Sequence, residues 1–243
     1  MTYVDGFAIA CPKANRDKFV SHARTTDEMF TEMGATRIVE CWADDVPEGK
    51  VTDFRMAVQA EPDEDVVFSW IEWPDKPTRD AAMKKMMDPD NPDERMSPET
   101  NPVPFDGKRM IFGGFAPLID ESAAGKTGYV DGFVAPVSPA KRKAYVEMAQ
   151  KGASKFIELG ALRDAENWGD DVPDGKVTDF RRSVKAEENE DVVFSWIEWP
   201  DKATRDAGWA KMMSDPEMQP DDMPFDGKRM FWGGFKPVVD LAA

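Results

Sequence analysis

Trp70 and Glu72 stand two residues apart in the run Glu64-Asp-Val-Val-Phe-Ser-Trp-Ile-Glu-Trp-Pro-Asp-Lys76. An identical run returns as Glu190 to Lys202, with Trp196 and Glu198 in the same places. Residues two apart in an extended chain share a face, so each copy sets a carboxylate beside an indole. A carboxylate held against an aromatic wall has a raised pKa and can give or take a proton near neutrality. Alternation in the other apolar segments adds Tyr3, Asp5 and Phe7, then Glu40 and Trp42, and Arg109. Their counterparts are Tyr129, Asp131, Phe133, Glu166, Trp168 and Arg229. Aromatic walls with a few convergent charges make a small-molecule pocket. A second reading stands beside the first: the same charges form buried Arg–Glu and Arg–Asp pairs that fix how two sheets dock, since an unpaired charge there is costly.

Other chemistries find less support. The only histidine is His22, with Met148 at the matching position, so a His-based dyad, metal site or axial haem ligand cannot be built symmetrically. A solvated surface imidazole is expected. Gly125-Lys-Thr127 ends like a phosphate loop, but Asp120 stands where the upstream glycine is required. Gly49-Lys50 is followed by Val51, which has no hydroxyl. The acidic turn Asp44-Asp45…Glu48, repeated as Asp170-Asp171…Asp174, lacks the alternating ligand spacing of a calcium loop and reads as a plain turn. Cys11 and Cys41 are matched by Val137 and Asn167, which implies neither a disulfide framework nor a thiolate metal site. No metal and no cofactor is therefore expected.

A net charge of −16 repels phosphate backbones and anionic headgroups, so neither nucleic acid nor a membrane surface is an expected partner. No apolar run approaches the ~20 residues that span a bilayer. The opening Met1-Thr-Tyr-Val-Asp-Gly lacks a basic-then-apolar leader, and a cytoplasmic location is the expectation.

The elements that must position these residues also come in duplicate. A strand opens each copy at Tyr3 and Tyr129. Its small residues Val4, Gly6 and Ala8 suit close approach of a helix, so Tyr3, Asp5 and Phe7 are expected to look the other way, into the space between the copies. Phe19, Ala23, Thr26, Phe30 and Met33 recur at helical spacing over residues 13–33, and Gly34 closes that helix. A strand over 36–42 follows, then a short helix over 52–58, the strand 64–73 and a helix over 75–87. A proline-rich loop, 88–104 or 214–224, leads to a closing strand ending Gly-Gly-Phe at Phe115 or Phe235. The order β-α-β-β-α-β is that of a ferredoxin-like fold, with both helices on one face of an antiparallel sheet. The expected architecture is α+β: two ferredoxin-like repeats, 1–120 and 129–243, joined by a linker at 121–128 and forming a pseudo-dimeric α+β barrel within one chain.

The runs DDVPxGKVTDFR, EDVVFSWIEWP and PFDGKRM…GGF resemble those of the YbaA-like proteins, a bacterial family of unknown function, over essentially the whole of each repeat. That family is similar to the wider dimeric α+β barrel group, in which two halves enclose a central space. The group includes cofactor-free monooxygenases, lactone isomerases, haem-dependent enzymes and proteins without known activity. The resemblance brings no established catalytic residues. Two functional expectations follow. One is a small-molecule pocket between the repeats, extending to a cofactor-independent monooxygenase- or isomerase-like enzyme. The other is a non-catalytic structural or stress-related protein with an ion-paired, filled barrel interior.

Overall fold

The structure is a computed structural model describing residues 2–90, 92–218 and 223–243. The first repeat runs β1 Tyr3–Pro12, α1 Arg16–Glu32, β2 Arg37–Asp45, α2 Phe54–Ala57, β3 Glu64–Trp73, α3 Lys76–Met86 and β4 Ile111–Ser122. The second runs β5 Tyr129–Val137, α4 Arg142–Glu158, β6 Arg163–Asp171, α5 Phe180–Ser183, β7 Asp191–Trp199, α6 Lys202–Ser214 and β8 Phe231–Ala242. The proline-rich stretch expected at 214–224 lies partly outside the described residues.

Local chemistry sets the boundaries. Gly34 takes φ +106° one residue beyond the C-cap of α1, and Gly160 takes φ +103° in the same place after α4. Such backbone is open to glycine at little cost. Asp75 accepts from the Thr78 amide at 2.8 Å to start α3, and Asp53 accepts from Met56 at 2.7 Å to start α2. The short helix expected at 52–58 is thus a single capped turn.

All strand pairings are antiparallel, and the eight strands close in the order β1-β3-β2-β8-β5-β7-β6-β4. The repeats join through their edges, β2 with β8 and β4 with β6, which leaves no sheet edge unpaired. These seams also lengthen the closing strands beyond Phe115 and Phe235. Asp120, Glu121 and Ser122 pair with Ala165, Asp164 and Arg163, so β4 runs on to Ser122 and the connection between repeats is 123–128.

The expected sidedness of β1 and β5 is reversed. Val4, Ala8 and Ala10 belong to the core inside the barrel, with Val130 and Val134 from β5. Tyr3, with Phe7, packs outside against Trp73 and α1, and Ile9 packs outside against Phe19 and Trp42. The small residues make room for aromatic rings of the opposite repeat. A β-carbon on Gly6 would lie 2.8 Å from the Phe194 ring, and one on Gly132 would lie 2.8 Å from Phe68. Those two rings stack at the centre of the barrel, 4.8 Å apart and 13° from parallel. Phe54, Phe115, Phe180, Phe231 and Phe235 fill the space around them. The interior is a packed aromatic core.

Candidate functional site

The residues singled out from the sequence fall into three places. Trp70, Glu72, Trp196 and Glu198 do point inward, at one mouth of the barrel. The two indoles stack at 4.5 Å, and each donates to the glutamate two residues on, at 3.0 and 3.2 Å. Arg37 grips Glu198 with two hydrogen bonds of 2.8 Å, and Arg163 grips Glu72 at 2.7 and 2.9 Å. Each bond pair crosses between repeats. Burial pushes the Glu198 carboxyl up, but the Arg37 hydrogen bonds and charge outweigh it and hold the group below its ordinary value. An open basin of about 480 Å³ lies over this mouth. Each of its arginines already holds two carboxylates, Arg37 also gripping Asp240 and Arg163 also gripping Asp120.

Tyr3, Asp5, Tyr129 and Asp131 lie on the outer faces instead of lining an interior cavity. Asp5 accepts from Arg79 at 2.8 and 2.9 Å and from the Trp73 indole at 2.8 Å, all buried beneath α3. Burial raises its pKa against the pull of Arg79. Asp131 repeats the arrangement with Arg205, Trp199 and Trp209. Tyr3 donates to Asp170 at 2.9 Å and Tyr129 to Asp44 at 3.0 Å, so the acidic turns are held by side chains of the opposite repeat. Trp42 and Trp168 bond Asp65 and Asp191. Arg109 and Arg229 sit apart from these groups, each doubly bonded to a glutamate, Glu64 or Glu190, at 2.6–2.8 Å. Every one of these charges has its partner, which is why they do not assemble a pocket.

Glu40 is the exception. It lies on the outer face of β2 beneath α1, where a cavity of about 280 Å³ opens between helix and sheet. Phe7 and Ile9 from β1, Phe19 and Phe30 from α1, Ile71 from β3, Met86 from α3 and Phe105 from the following segment make it largely apolar. Three polar atoms in this wall are sealed from solvent and have no hydrogen-bond partner: Asp27 Oδ2, Glu40 Oε2 and Ser69 Oγ. Only one other such atom, Asp164 Oδ1, occurs among the described residues. Asp27 is 2% exposed. Burial first, and then the charge of Glu40, raise its carboxyl to about 9; burial raises Glu40 to about 7 against the pull of the nearby Ser69 hydroxyl. A carboxyl that stays protonated beside one that titrates near neutrality is an acid and a base in one wall.

The second repeat carries different side chains at the matching positions. Tyr145 replaces Phe19 and donates to Glu166 at 2.5 Å. Ala153 replaces Asp27, and Trp209 stands where the first repeat has Met83, its ring edge-on to Phe156 at 4.8 Å. Sequence reasoning found Glu40 but passed over Asp27 and Ser69, and it placed His22 in solvent. His22 is half-buried at the edge of the cavity, with Nδ1 3.0 Å from Asn101 Oδ1. Burial lowers its pKa. The usable signal was the difference between copies: an aspartate against an alanine on a buried helical stripe.

Fold and site together define an antiparallel α+β barrel of two repeats with an acid-lined cavity under one helix. Among the described residues no helix is long and apolar enough to cross a membrane, and no group of three or more His, Cys, Asp or Glu residues converges as a metal site. The chain belongs to the family described as protein of unknown function (DUF1428), whose pattern matches residues 2–107 and again 128–227. It is 63% identical over 114 residues to the uncharacterized protein YbaA of Escherichia coli strain K12, a match covering 46% of this chain and 97% of that one. YbaA therefore corresponds to a single repeat. Among solved structures, a candidate monooxygenase from Fusobacterium nucleatum subsp. nucleatum superposes with a TM-score of 0.57 at 12% identity, covering 99% of this chain and 94% of that one. A candidate monooxygenase from Lactobacillus acidophilus NCFM gives 0.57 at 10% identity, covering 100% and 97%. An anthrone oxidase-like protein gives 0.55 at 10% identity, covering 100% and 93%. These likenesses establish the shared fold.

Proposed function

We propose that the first repeat binds a small molecule in the cavity beneath α1 and that Glu40 and Asp27 exchange protons with it. The observation that carries this reading is the convergence of three sealed, unpartnered polar atoms on an otherwise apolar cavity. A protein interior rarely leaves such groups unmet unless a ligand or water meets them. Glu40, titrating near neutrality, takes a proton from the bound molecule, and the protonated Asp27 returns one at a second position. The net change is an isomerisation that needs no cofactor. In this reading each repeat is a ferredoxin-like half, supported by its strand order β4-β1-β3-β2. The second repeat completes the barrel and has Ala153 in place of the acid Asp27.

The alternative, a non-catalytic protein with a filled barrel, draws on the stacked rings and cross-repeat Arg–Glu pairs of the interior. A thermal-shift screen of small molecules on the full chain separates the two. Compounds that raise the melting temperature of the parent and lose that effect in the Asp27→Asn, Glu40→Gln double variant support a site beneath α1. A screen without stabilising compounds, or with compounds indifferent to the variant, favours the alternative.

A further inference from the structure

The second repeat shows what the first one lacks. Phe19 and Tyr145 hold matching places: their rings lie 6.0 and 6.5 Å from Trp42 and Trp168, and both 6.0 Å from Phe105 and Phe225. Tyr145 supplies its glutamate with a hydroxyl donor. Phe19 has no hydroxyl, so Glu40 Oε2 lacks the tyrosine donor of its counterpart and has only the Ser69 hydroxyl near it beside the open cavity. The first repeat then adds a second acid, Asp27, where the other has Ala153. An occupant that meets both carboxyls in their ionised form must offer two donors at once. A hydroxyl carries one proton; a primary ammonium carries three N–H groups and a charge that offsets the burial of both acids.

We propose that the cavity is built for a primary amine: an ammonium group on an apolar body about the size of one ring, donating to both Glu40 and Asp27. This rests on the reading that the cavity binds a small molecule. Phe7, Phe19, Phe30 and Phe105 supply aromatic walls, which attract a cation through their faces. The volume of about 280 Å³ leaves room for more than benzene, which occupies an engineered dry cavity of about 150 Å³. The net charge of −16 draws cations toward the protein. The neighbouring charged and titratable groups on α1 are His22, bonded to Asn101, and the exposed Arg24, which opposes the rise at Asp27. From β3 the cavity receives Ser69, and from α3 it receives Met86. An ammonium placed here drives the two carboxyls to ionise, so binding near neutral pH releases protons to the buffer.

Isothermal titration of the full chain with phenethylamine, phenethyl alcohol and ethylbenzene, in two buffers of different ionisation enthalpy, tests this. The amine is expected to bind about tenfold or more tighter than the alcohol and to release protons. Asp27→Asn should weaken the amine by about tenfold or more. Phe19→Tyr should do the same, because it restores the hydroxyl of the second repeat. An alcohol that binds as tightly as the amine, amine binding without proton release, or amine binding unchanged in both variants overturns the assignment. In those cases, if the alcohol or ethylbenzene still binds, the small-molecule reading survives without the amine. If none of the three probes binds, both fall together.

Discussion

Replacing Asp27 by Asn should stabilise the protein, and by an amount that grows with pH. The Asp27 carboxyl is raised from 3.8 to about 9 by burial and by Glu40. An unfolded chain releases that proton near pH 4, whereas the folded chain keeps it, so the native state binds more protons throughout the interval. Stability contributed by such a group is full below its unfolded pKa and is lost as pH rises toward the folded one. Each pH unit costs about 1.4 kcal/mol per group, so between about pH 5.5 and about pH 8.5 the parent loses about 4 kcal/mol that Asp27→Asn does not. Coupling to Glu40 and relaxation of the cavity reduce this toward about 2 kcal/mol. Asparagine copies the shape of the protonated acid, so the two proteins should match only below about pH 4, where folded and unfolded chains both hold the proton. Urea titrations followed by tryptophan fluorescence, with eight Trp as reporters, measure both proteins across the interval. Carboxylates other than the coupled Glu40 are common to both and cancel in the difference. A stability difference that stays constant with pH would refute the claim that Asp27 is buried without a counter-ion.

Three further outcomes follow from the packing. Arg79→Ala strands the buried Asp5 carboxylate, and urea unfolding should show a loss of about 3–5 kcal/mol. Gly132→Ala would put a methyl group 2.8 Å from the Phe68 ring at the barrel centre and should destabilise by about 1–3 kcal/mol. Gly152→Ala, in the middle of α4 with nothing within 4 Å, should stabilise by about 0.5–1 kcal/mol in the same assay.

The repeated run around Trp70 and Trp196 made the element order legible, because each ambiguous segment had a second copy to resolve it. The short turn at Phe54 is an example: Arg182 in the other copy is incompatible with a buried alternating strand, and Asp53 caps a helix there. The facing of β1 was not legible. A row of small residues admits either a helix or the rings of an opposing sheet, and alternation does not say which neighbour takes the space. Here the neighbours are Phe194 and Phe68, which come from the partner repeat of each strand. Glu72 and Glu198 were correctly seen beside indoles, yet their arginines, Arg163 and Arg37, begin strands of the opposite repeats and only barrel closure brings them near. Asp27 was hidden for a simpler reason. One acid among 47 looks solvated until the helix stripe of Phe19, Ala23 and Phe30 is seen to carry it under the sheet.

Xenon derivatisation of crystals of the full chain probes the layout most directly, because xenon settles against the apolar walls of a cavity regardless of any natural ligand. One xenon position beneath α1, ringed by Phe7, Phe19, Ile71 and Met86, with none between Phe68 and Phe194, is the result expected. Xenon inside the barrel, or an empty space beneath α1, would contradict it.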